Sequence, residues 1–188
     1  MNDTGKNIVA AVNDFQALFD QIGILLQTAD AQMEKREWLS RSNQCVSVST
    51  SVENPDRWFP KFMYRVYYHK RIKSIVGFVS ILLNDVFEDA LLPVTEPLLS
   101  AGWYDYGKGN KASKGQYQGW TVCHVDHVNR RDDGTVMQNT DKKWLDYDKW
   151  GIESFNSLAL PLVSIQSAED LIKRVIVPIN EHLEKSVK

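Results

Sequence analysis

Apolar residues recur along the first forty positions at alternating spacings of four and three: Ile8, Val12, Phe15, Phe19, Ile22, Leu26, Ala29 and Met33. That is the a/d rhythm of an amphipathic helix, and it predicts a helix within residues 1–40. Leu18 and Leu25 widen the stripe, as in a helix packed on a sheet or in a bundle rather than in a thin two-stranded seam. Two roles are open to such a face: covering the domain's own core, or forming part of a dimer interface.

Beyond Arg41 the period falls to two. "QCVSVSTSV" (44–52) alternates Cys45, Ser47 and Ser49 against Val46, Val48 and Thr50, which reads as a strand. Residues 61–70 and 73–84 carry β-branched and aromatic residues on either side of a short basic turn and predict a hairpin. In its first arm Tyr64, Val66 and Tyr68 share one face, and Arg65, Tyr67 and His69 share the other. The run 75–83 is apolar on both faces and predicts a central strand. Further strands are predicted over 97–107 and 116–128, joined by the flexible "GKGNKASKG" (107–115), with a short hairpin arm at 135–138. The last strand falls in 157–165, where Pro161 points to an edge or a bulge.

The chain closes with a second helical stripe, Ala168, Ile172, Val175, Ile179 and Leu183, over residues 167–186. Ser167 is a natural N-cap, with Glu169 and Asp170 in the first turn. Pro178 removes a backbone donor and predicts a kink or break near 174–178. The sum is a single α+β domain over 1–188: an N-terminal helix (1–40), an antiparallel sheet of five or six strands (44–165), and a C-terminal helix kinked near Pro178 (167–186).

Composition narrows the function. The 188 residues are 43% apolar and 24% charged, enough for one well-packed domain. A net charge of −2 argues against a chain built to bind duplex nucleic acid. Cys45 and Cys123 make neither a disulfide framework nor a CxxC metal pattern. The start lacks the basic and apolar regions of a signal peptide, and the run 75–83 is far shorter than the roughly 20 residues that span a bilayer. A cytoplasmic protein without a membrane partner is expected.

Candidate chemistry concentrates in "TVCHVDHV" (121–128). On a strand, His124 and Asp126 share a face about 6.6 Å apart at Cα, close enough to hold one metal ion or to act as an acid/base pair. His127 joins them only if the strand ends or bends there. A catalytic zinc wants three protein ligands and an open position, and this segment supplies two. A hydrolase using His124 and Asp126 would need a distant third residue, such as Asp105 or His69. The simpler reading is a polar strand face, with His124 held by Asp126, no metal and no cofactor.

Charge is segregated along the chain. Between Arg57 and Asn84 there is no acid, and between Ser74 and Gly107 there is no base. Cross-strand pairing of the two segments would explain this. So would a basic, tyrosine-rich face of Arg65, Tyr67 and His69, with Lys70 and Arg71 beyond it, that holds an anion or a nucleic acid. Aromatic residues interleave with acids in "WYDY" (103–106), "YQGW" (117–120) and "WLDYDKW" (144–150), a texture suited to ligand stacking or an interface. Trp103, Tyr106 and Trp120 are therefore candidate ligand contacts together with Arg65, Tyr67 and His69. The leading expectation is a homodimeric, non-catalytic module that senses a small-molecule ligand or binds a protein.

Overall fold

The computed structural model describes residues 3–40, 43, 45–46, 51–53, 59–83, 96–107, 133–139 and 152–186. The strands expected over most of 44–52 and at 116–128, and the connection between Lys108 and Gly115, lie outside the described residues. The rest is the α+β architecture the pattern predicts. Helix α1 (Asp3–Glu34) leads into strands β1 (Trp38–Ser40), β2 (Phe62–His69), β3 (Ile75–Leu82) and β4 (Leu98–Asp105). Strands β5 (Met137–Asn139) and β6 (Ser154–Pro161) follow, and a C-terminal helix closes the fold.

All six strands form one antiparallel sheet in the order β1-β2-β3-β4-β6-β5. β2 and β3 make the expected hairpin, with Arg65 opposite Val79 and Tyr67 opposite Gly77. β3 is interior, and all eight of its residues are buried, as its two-sided apolar pattern requires. The arm expected at 135–138 is the short β5, and it pairs with β6.

Three features differ from the sequence pattern. α1 ends at Glu34, and Trp38–Ser40 already belongs to the sheet, because a left-handed residue, Glu37 (φ 67°), turns the chain. The N–H groups of Arg36 and Glu37 close this turn on the carbonyls of Met33 and Glu34. β6 is not an edge strand, since β4 and β5 flank it. Pro161 stands at its last position, beyond the described pairing with β5, which reaches Ser157, so none of the described strand pairs asks for its missing N–H. Among the described residues the charges of the two segments do not face each other across strands: Arg65 faces Val79, and Asp105 faces Ile75 and Ser154.

The C-terminal helix, α2, runs through Ala168–Leu171, a π-helical turn at Ile172–Ile176, and Val177–Ser186. Ser167 caps it, its hydroxyl oxygen accepting from the Asp170 N–H. The π-turn lies directly before Pro178, and the Val177 N–H donates to the Ile172 carbonyl five residues back. Pro178 has no N–H for the usual bond, and its ring would crowd the carbonyl four residues earlier. The wider turn relieves that crowding.

Both helices cover one face of the sheet. Ile22, Leu26, Ala29 and Met33 of α1 join Leu171, Val175, Ile176, Ile179 and Leu183 of α2 over Val79, Leu99, Ala101, Trp103 and Leu158. On the other face Phe78, Tyr104 and Phe155 form an aromatic cluster with centroids 5.0–5.5 Å apart. β1 is fastened by Trp38, whose indole N–H donates to Asn180 Oδ1 of α2 at 2.9 Å. The Trp38 ring lies over Gly77, where an added Cβ would stand 2.8 Å from it. Gly77→Ala is therefore expected to destabilise the fold by about 1–3 kcal/mol through overpacking. Denaturant unfolding with an unchanged m-value is the check; a cost of zero would show that the indole has room to move.

Candidate binding site

Arg65 and Tyr67 project from β2 toward α1, and there they meet Asp30. The Arg65 guanidinium donates from Nε to Asp30 Oδ1 at 3.0 Å and from Nη2 to Oδ2 at 2.6 Å, a bidentate pair. The same Nη2 donates to Ser40 Oγ at 2.6 Å, and the Tyr67 hydroxyl donates to Asp30 Oδ1 at 2.8 Å. Arg65 is 6% exposed and Tyr67 fully buried. Burial alone would lower the Arg65 pKa, but the hydrogen bonds and charge of Asp30 outweigh it and raise it. Burial first, and then the Asp30 charge, push the Tyr67 phenol far above its ordinary value. Both groups therefore keep their protons across the physiological range. An anion arriving at Arg65 would have to displace Asp30.

The other expected contacts are spread over the molecule. His69, half-buried at the end of β2, packs edge-on against Trp38 at 4.9 Å, and its Nδ1 accepts from the N–H groups of Arg71 and Ile72. Arg71 leaves the turn to pair with Glu37 at 2.6 Å. Trp103 is buried on the helix face against His182 of α2, with centroids 5.6 Å apart. Tyr106 is buried in the aromatic cluster of the opposite face, so these residues do not converge on one pocket. Trp120, His124, Asp126 and His127 lie outside the described residues. Among the described residues no group of three His, Cys, Asp or Glu side chains is placed to hold a metal ion.

The cavity of note is a groove of about 650 Å³ between the middle of α1 and the segment linking β6 to α2. Leu18, Gln21, Ile22, Leu25 and Thr28 form its α1 wall. Leu162, Val163, Ile165, Ala168 and Leu171 form the other, and Pro97 also lines it. Every described residue that lines it is uncharged. Two apolar side chains stand largely in water at its margin, Ile24 at 65% and Val163 at 67% exposure. The helical periodicity marks Leu18 and Leu25 only as a widening of the stripe. The one sequence signal for this groove is an apolar residue off the stripe, Ile24, and it has meaning only once 162–171 lies beside α1.

α1 is also long and apolar enough to cross a membrane by length and composition. The chain matches no protein-family model, no curated protein and no solved structure. The functional reading therefore rests on the geometry.

The Arg65 network and His69 each lead to a measurable outcome. Asp30→Ala leaves a buried guanidinium without its counter-ion and is expected to cost about 3 kcal/mol, read from denaturant unfolding. A double variant, Asp30→Leu with Arg65→Met, is expected to cost less than the single one; a larger cost would contradict this account. The His69 pKa lies below its ordinary value because of burial, reinforced by Arg71 and Lys73 and opposed by Glu37. The folded protein thus disfavours the proton that the unfolded chain takes up near about pH 6.5. The stability contributed by neutral His69 is full above that pH and is lost as pH falls below it. His69→Gln should flatten the stability profile on the acid side of about pH 6.5, and an unchanged slope would clear His69 of the effect.

Proposed function

We propose that this protein is a non-catalytic binding module, and that the groove between α1 and residues 162–171 receives an uncharged, predominantly apolar ligand or the apolar side chains of a protein partner. The observation that carries this reading is a groove of about 650 Å³ whose described lining is all uncharged, within the size range of small-molecule sites. The described lining holds no carboxylate, imidazole, amine or thiol, and its two hydroxyls are taken up structurally, Thr28 donating to the Ile24 carbonyl and Ser167 capping α2 with Asp170, so neither is paired with a base that would activate it. What it offers is apolar area to be removed from water and two amides, Gln21 and Gln166, to orient a guest. The exposed flanks at Ile24 and Val163 support the same reading, since side chains of this kind in water gain from being covered.

The aromatic and basic residues serve this function indirectly. Arg65, Tyr67 and Trp103 hold α1 and α2 on the sheet, and the two sides of the groove are thereby kept in place. Nile red, a neutral solvatochromic dye, is a suitable probe of the groove. Saturable, blue-shifted fluorescence is expected with the wild-type chain. Ile24→Asp and Val163→Asp are each expected to weaken it about tenfold, equivalent to about 1.4 kcal/mol. Both positions are exposed, so the melting temperature should hold. Dye binding that ignores both substitutions would refute the assignment of the groove.

A further inference from the structure

The groove between α1 and residues 162–171 is long rather than round. Leu18, Gln21, Leu25 and Thr28 follow one another along one flank of α1 at spacings of three, four and three, so this wall runs for about 15 Å. On the neighbouring flank Phe59, just before β2, packs on Phe15 and Phe19 with centroids 4.9 and 5.7 Å apart. That contact ties the Leu18 end of the wall to the domain.

We propose that the guest is one extended hydrocarbon chain with an uncharged polar head, an inference that rests on the groove being a binding site. At about 1.2 Å per bond of an extended chain, a wall of about 15 Å accommodates about twelve carbons. Three observations select this guest. First, the described walls are aliphatic: no Phe, Tyr, Trp or Arg lines the groove, although 11% of the chain is aromatic. Ring-bearing guests gain from stacking on aromatic side chains, and protein hot spots from Trp, Tyr and Arg. These walls supply neither; what they supply is close contact between methyl and methylene groups.

Second, an ionised head of either sign would leave water for a described lining that holds no opposite charge. The charges beyond the lining select neither sign. Asp14, Asp20, Glu169, Lys173 and Arg174 are exposed, where water and salt screen them. Lys173 pairs with Glu169 at 2.5 Å, and Arg174 donates to the Ser164 carbonyl at 2.7 Å. Third, the side-chain amides of Gln21 and Gln166 have no hydrogen bond among the described residues; Gln166 uses only its backbone N–H, on Asp170. Each amide both donates and accepts, which suits a hydroxyl, ester or amide head.

Displacement of Nile red by linear primary alcohols from octanol to tetradecanol, each below its solubility limit, is the test. Affinity should rise about fourfold per methylene up to dodecanol and then level off. Cyclododecanol, with the same number of carbons in a compact ring, should bind about tenfold more weakly than dodecanol, since it covers only part of the row. Ionised dodecanoate should also bind about tenfold more weakly. Thr28→Phe narrows one end of the row and should move the plateau to a shorter alcohol, with the melting temperature held. Three results would overturn the inference: cyclododecanol or dodecanoate binding as tightly as dodecanol, affinity that climbs past dodecanol without a plateau, or a plateau that ignores Thr28→Phe. Nile red that binds in the groove and is displaced by none of the alcohols would overturn it too, leaving the groove to a protein partner. Dye binding indifferent to Ile24→Asp and Val163→Asp would remove the groove and this guest together.

Discussion

Arg65 is a cation on the core face of an interior strand, and no fold of this chain is acceptable until a carboxylate reaches it. A guanidinium left alone in such a place costs several kcal/mol. The carboxylate that reaches it is Asp30, two bonds deep in bidentate contact and shared with the Tyr67 hydroxyl. Asp30 sits beside Ala29, one residue from the buried stripe of α1. Pairing it with β2 therefore fixes both the rotation of the helix and its position along the sheet. Apolar packing alone tolerates sliding by a turn; a fork of two hydrogen bonds does not.

Much else follows from that placement. With Asp30 anchored, Ile22 to Met33 lie on the sheet, and the first four turns extend past its edge. The Leu18–Thr28 flank is left facing the β6–α2 segment, and the groove opens between them. α2 is located independently, by the hydrogen bond between Trp38 and Asn180 and by the contact of Trp103 with His182. The groove is thus held between two elements whose polar anchors lie elsewhere. Its own lining needs no charge, which is why it suits recognition by shape and apolar area.

Among the described residues, the aromatic candidates for ligand contact are built into the core. Trp38 and Trp103 are buried on the helix face, and Tyr104 and Tyr106 on the other. An aromatic ring removes more area from water than any other side chain, so a sheet buried on both faces takes up many of them. The lone acid Asp105, read as a distant catalytic partner, ends β4 and accepts from the Gly107 N–H. The charge segregation has a similar outcome. Arg65 and Arg71 take their partners from Asp30 and Glu37, which precede both charged segments in the chain.

What the sequence determined by itself is local and periodic. The 4,3 spacing from Ile8 to Met33 specifies α1, the two-sided apolar run specifies β3, and Ser167 with Asp170 specifies the start of α2. Each depends only on residues within a few positions of one another, where backbone geometry forces the period. Whether Ile22 or Ile8 meets the core is invisible to that period, because both obey it equally. The short β1 escaped it too, since three residues are too few to show an alternation. Only the tertiary structure decided which half of the α1 stripe is buried, that Arg65 belongs to Asp30, and that α1 and residues 162–171 enclose a groove. Those are contacts between segments 35 to about 140 residues apart, and they are set by the register and rotation of whole elements.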